Sequence, residues 1–157
     1  MASMPSRAQR PATYDDANLL LRLYELRREE KLRAARDWFA KNFHASTLEE
    51  MQKLCPMGSQ ENAYLRMVTG YWDMAASLVS SGAIDGDSFR AAHGEIVGAF
   101  AKIQPFLAEL RATVSEPDFC KHIEAVVLAS TDAEATLKRR RERLRALARQ
   151  AEASDAR

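Results

Sequence analysis

The stretch from Asn62 to Ser81, NAYLRMVTGYWDMAASLVSS, constrains the fold more than any other part of the chain. Placed on a helix, Tyr64, Val68, Tyr71, Ala75 and Leu78 recur at the spacing of one face, and Leu65, Trp72 and Val79 lie beside them. Met67 and Met74 widen that face. Only Asn62, Arg66, Thr69, Asp73 and Ser77 remain, as a narrow polar stripe. A helix that is apolar around nearly its whole circumference is a central element against which others pack. The pattern identifies a core and no chemistry.

The rest of the chain supplies further helices. Thr13 and Asp16 form a capping pair, and from Tyr14 to about Phe43 there is no Gly or Pro, which reads as one long helix with a solvated, charged middle from Arg27 to Arg33. Ser46 and Glu49 form a second capping box, opening a short helix that turns Leu48, Met51 and Leu54 inward and ends at Cys55-Pro56-Met57-Gly58. Ser59 caps the central helix and Gly82 closes it, with Ile84 placed to fold back. Asp85 caps the next helix, whose face reads Phe89, His93, Ile96, Phe100, Ile103 and Leu107. Gly94 and Gly98 on it would let a neighbour approach closely, and Pro105 should kink it. Ser115, Pro117 and Asp118 start the last helix, which bends near Ser130.

No stretch alternates with a strand's period, and 6 Gly and 5 Pro are too few for an all-β fold. At 157 residues the chain suits one domain that buries roughly two-thirds of its unfolded surface. The expected fold is all-α: a helical bundle of four longer helices plus one short connecting helix, the last helix extended and basic. Residues 1–12 read as a disordered N-terminal arm, 13–130 as the bundle domain and 131–157 as a basic C-terminal helical extension. No run approaches the roughly 18 apolar residues of a membrane span. The N-terminus lacks the apolar core of a secretory signal. Cys55 and Cys120, far apart and without metal-type spacing, read as buried free thiols of a reducing cytoplasm.

Catalytic and metal motifs are missing. His93 and Glu95 are two apart, about 200° around a helix, and so cannot share a ligand; Cys120 and His122 fail in the same way. No Glu-x-x-His, nucleophile elbow or phosphate-binding glycine loop occurs. No metal, cofactor or catalytic residue is therefore assigned. The best ligand-pocket candidates are Asn62, Arg66 and Asp73 of the stripe with Tyr71, Trp72, His93 and Glu95, with Glu95 or Glu109 as a partner for Arg66 were the stripe covered. An ordinary wet edge is the simpler reading of the stripe.

Charge is distributed unevenly. Residues 44–137 carry six basic against thirteen acidic side chains, whereas residues 138–157 carry eight against three. Lys138, Arg139, Arg140, Arg141, Arg143, Arg145 and Arg149 are candidate anion-binding residues for nucleic acid or an anionic surface. No aromatic residue interleaves with them, so a solvated or self-complementary helix is the plainer reading.

Three stretches, NLLLRLYELRREEKLRAARDWFAKNF (18–43), LCPMGSQENAYLRMVTGYWDMAASLVSSG (54–82) and AKIQPFLAELR (101–111), carry the specific patterns RxARDWF and GYWxMAASLV. Over roughly residues 14–128 the chain resembles a family of small uncharacterised bacterial all-helical proteins. The resemblance implies an α-helical fold, no known activity and no catalytic residues to carry over. It also implies variation at His93, where the family often has Asn before Gly-Glu.

The expected function is that of a non-enzymatic cytoplasmic helical protein-interaction module. The apolar excess of Leu19, Leu20, Leu23, Tyr24 and Leu26 on the first helix points to a homodimer. Anion binding through the basic helix, and a ligand or enzyme site on the central stripe, are the alternatives.

Overall fold

The computed structural model describes residues 10–156, and these are all-helical. Eight helices follow in order: α1 (Tyr14–Arg27), α2 (Glu30–Asn42), α3 (Leu48–Leu54), α4 (Gln60–Ser80), α5 (Gly86–Ala92), α6 (Glu95–Val114), α7 (Lys121–Leu128) and α8 (Ala133–Asp155). Residues 1–9 of the expected arm lie outside the described residues. Arg10, also within that arm, ion-pairs with Asp16 and reaches the Gly82 carbonyl at 3.2 Å.

The expected number of long helices is corrected at three breaks. The first long helix divides at Arg28–Glu29. Glu29 turns to an extended ψ of 139° and its side chain accepts the Leu32 amide, so it ends one helix and caps the next. The charged run offers no apolar face to hold a straight helix together, while Arg36 binds the freed Arg27 carbonyl at 3.2 Å. The second break is at His93–Gly94, where His93 leaves helical geometry and separates α5 from α6. The third lies between α7 and α8, where the bend expected near Ser130 is a full interruption; the helix expected to start at Ser115 instead begins at Lys121, because Ser115 at φ 56° caps α6 and Cys120 at φ 57° precedes α7.

Two capping positions move by one residue. Thr47, not Ser46, caps α3 by accepting the Glu50 amide, and the Glu50 carboxylate accepts the amide of Ser46 rather than that of the cap. Asp132 rather than Thr131 precedes α8, receiving the Thr136 hydroxyl at 3.0 Å. The capping box at Thr13, the cap at Ser59 and the glycine closure at Gly82 stand as expected, with the Ile84 amide returning to the Leu78 carbonyl at 3.1 Å. Gly94 and Gly98 have open space around them, so no helix makes the close approach they allow.

α4 is the central element. It packs most extensively on α2 and α7, while α6 packs on α7 and α8. Trp72, Phe43, Phe89, Phe100, Phe106 and Ile123 are wholly or almost wholly buried. Phe39 stacks on Phe43 at 4.8 Å between ring centres, and Tyr71 meets Trp72 edge-on at 5.0 Å. Cys55 and Cys120 are buried and unbridged. Among the described residues no helix is long and apolar enough to cross a membrane.

Candidate functional site

The polar stripe of α4 is committed mostly to structure. The Thr69 hydroxyl is buried and bonds the Leu65 carbonyl at 2.8 Å, and Asn62 Nδ2 reaches the Cys55 carbonyl at 3.4 Å. Asp73 accepts the His122 and Ile123 amides at 3.0 and 3.1 Å. These are orphan donors of the first turn of α7, whose own N-cap residue supplies no side chain to them. Asp73 is thus a cap delivered from another helix. Arg66 alone faces solvent, without an ion pair among the described residues. Neither Glu95 nor Glu109 reaches it.

Tyr71, Trp72, His93 and Glu95 lie in a different part of the molecule. The Tyr71 hydroxyl donates to the Leu23 carbonyl at 2.5 Å, fixing α4 to α1. The His93 ring stands 5.9 Å from that of Trp72 and 5.2 Å from that of Phe89. Both rings are sealed from solvent, and Trp72 Nε1 and both His93 nitrogens are buried without a hydrogen-bond partner. Burial, with the nearby Arg27 charge, lowers the His93 pKa below its ordinary value and holds the ring neutral; the Leu20 backbone opposes this without making a bond of full geometry.

Glu95 opens α6 and receives Arg36 at 2.5 and 2.8 Å and Arg27 at 3.3 Å. Arg27 also lies over the rings of Tyr24 and Trp72 at 5.2 and 5.9 Å. The expected solvated middle of the first helix is therefore a tertiary clasp at its edges. Of the seven pocket candidates, Asn62, Arg66 and Asp73 share one side of α4, while Tyr71, Trp72, His93 and Glu95 join α1, α2 and α5. No single concavity unites them.

A different concavity lies where α8 crosses α6 and the loop after α2. Its volume is about 240 Å³, with Phe43, Pro105 and Leu144 among its apolar walls. Arg141, Arg145 and Arg149 line it from α8, at the spacing of a single helical face. Lys138, Arg139, Arg140 and Arg143 do not line it; Arg139 instead bonds the Thr136 hydroxyl at 2.9 Å. Lys102 comes from the opposite wall. It is only 9% exposed, its ammonium donates to the Phe39 and Ala40 carbonyls at 2.7 and 3.1 Å, and burial draws its pKa down to about 8. Nothing in the sequence marked Lys102, one of two cations, with Arg111, in a mostly apolar helix. His44, just past the end of α2, bonds the Lys41 carbonyl at 2.8 Å.

No three His, Cys, Asp or Glu side chains converge into a metal-binding group among the described residues. The family model of a domain of unknown function, DUF4760, matches residues 12–130. The chain belongs to that family. The DUF4760 region thus takes in α1 to α7, and α8 lies beyond it. No curated protein and no solved structure matches the chain. The cavity therefore joins the DUF4760 domain to this chain's own C-terminal helix.

Proposed function

We propose that this DUF4760 protein is a non-enzymatic helical interaction module of the cytoplasm, acting through α1, with a second copy of the chain as the partner. One observation carries the reading: α1 exposes large apolar side chains along one line. Tyr14, Leu21 and Tyr24 are 81%, 64% and 47% exposed, and with Ala17 they fall within about 80° of the helix circumference. The opposite side of α1 buries Asp16 and Leu23. A stripe of aromatic and aliphatic groups pointing away from the core has the character of a contact surface.

Its layout is self-complementary when two copies run antiparallel. Tyr14 then lies opposite Tyr24 of the second copy, and Ala17 opposite Leu21, in both directions. The two helix dipoles then oppose. The two buried, unbridged cysteines fit a reducing compartment. The sealed His93 and Trp72 offer no group to a substrate.

The Tyr14–Tyr24 pairing gives a direct test. A Tyr24→Lys change should weaken self-association, and adding Tyr14→Glu in the same chain should restore it. Sedimentation equilibrium would show this as a rise and fall of the dissociation constant by about tenfold. Loss with no rescue would refute the antiparallel arrangement.

A further inference from the structure

The cavity between α6 and α8 has a composition that the self-pairing of α1 leaves unexplained. Four cationic side chains, Lys102, Arg141, Arg145 and Arg149, line it, and no Asp or Glu does. Arg141 donates to Gln104 at 2.6 Å, a neutral acceptor. Lys102 is buried and has no carboxylate partner among the described residues; its two carbonyl acceptors are at the C-terminal end of α2, whose dipole offsets only part of a unit charge. A buried, unpaired cation is costly, so this one marks a place where negative charge would be strongly favoured. The remaining walls are mostly apolar, chiefly Phe43, Ala101, Pro105 and Leu144, with His44 and Ser46 on the loop after α2.

From this juxtaposition of apolar walls and uncompensated cations we infer that the cavity binds a small amphipathic carboxylate, its apolar body against Phe43, Pro105 and Leu144 and its head among the α8 arginines and Lys102. Size narrows the class. A volume of about 240 Å³ equals about eight liquid-water volumes, which suits a body of about eight to ten non-hydrogen atoms. Medium-chain fatty acids and alkyl-substituted aromatic acids both meet that description, and they share one chemistry: a single carboxylate on an apolar body. Arginine presents a planar fork to a carboxylate, and a site with three of them has donors to spare. Because the walls come from both the DUF4760 domain and α8, the ligand would also bridge the two.

Calorimetric titration of the full chain at low salt tests the inference, with octanoate and 4-ethylbenzoate as carboxylate probes and octanol and inorganic phosphate as controls. Saturable one-to-one binding is expected for at least one carboxylate, and the tighter of the two identifies whether the body is a chain or a ring. Octanol and phosphate should each bind at least about tenfold more weakly, because each lacks one half of the recognition. Arg145→Glu, on an exposed position, should weaken the carboxylate by at least about tenfold. Ala148→Trp should abolish binding by filling the cavity, with the circular dichroism spectrum unchanged. Octanol or phosphate binding as tightly as the carboxylates would overturn the inference. So would no saturation with either carboxylate, or full binding by Ala148→Trp.

Discussion

Asp73 and His93 were both plausible site residues, and their surroundings assign each a different task. Asp73 closes the N-terminal turn of α7 from a distance, so Asp73→Ala should cost about 1–2 kcal/mol in urea unfolding, the usual worth of a lost cap. An unchanged midpoint would mean that water serves those amides equally well. His93 is a buried neutral imidazole whose folded pKa lies below the unfolded value of 6.5. Below about pH 6.5 the unfolded chain therefore binds more protons than the folded one, and stability falls as pH falls. Thermal melts across that range should show this acid-side loss, and His93→Leu should flatten it; an equal slope in both proteins would place the sensitivity elsewhere. Asp16 is a buried charge, 1% exposed, held by Arg10, Thr13 and the Asp85 amide. Its role as a capping residue was visible in the sequence. Its partner Arg10 and its link to α5 were not, because both depend on where the chain returns after α4.

At the scale of elements, the apolar circumference of α4 was legible because it is a property of one contiguous stretch, and the structure makes that helix the centre. The ends of helices were legible to within a residue wherever a hydroxyl or a glycine closes the local backbone, as at Thr13, Ser59 and Gly82. The breaks at Glu29 and His93 were not. The first has no Gly or Pro, and Gly94 at the second keeps an ordinary helical φ; both breaks go with long-range groups: Arg36 on the Arg27 carbonyl, and the burial of His93 against Trp72 and Phe89. The same limit hid the cavity, since Lys102 and Arg145 are 43 residues apart and only the crossing of α6 and α8 makes them neighbours. The docking of α8 depends on the fully buried Leu137. Leu137→Ala should cost about 2–4 kcal/mol, and amide exchange should speed up through α8 before α4. Uniform exchange across all helices would show instead that α8 and the core unfold as one unit.

The whole molecule combines a closed core with one open surface. Its buried polar groups are mostly matched: Tyr71 to Leu23, Asp73 to α7, and Arg27 and Arg36 to Glu95. Among the described residues, α1 presents a row of large apolar groups, Tyr14, Leu21 and Tyr24, to the outside. That row was foreshadowed by the excess of leucines and tyrosines around α1, although the structure places the exposed line at Tyr14, Leu21 and Tyr24 rather than at Leu19 and Leu23. Self-pairing through this row is the central claim. Sedimentation velocity over a wide concentration range tests it most directly, comparing the wild-type chain with Leu21→Asp. The prediction is a reversible dimer for the wild type and a monomer of unchanged helicity for the variant; a wild-type chain that stays monomeric at the highest concentration would contradict it.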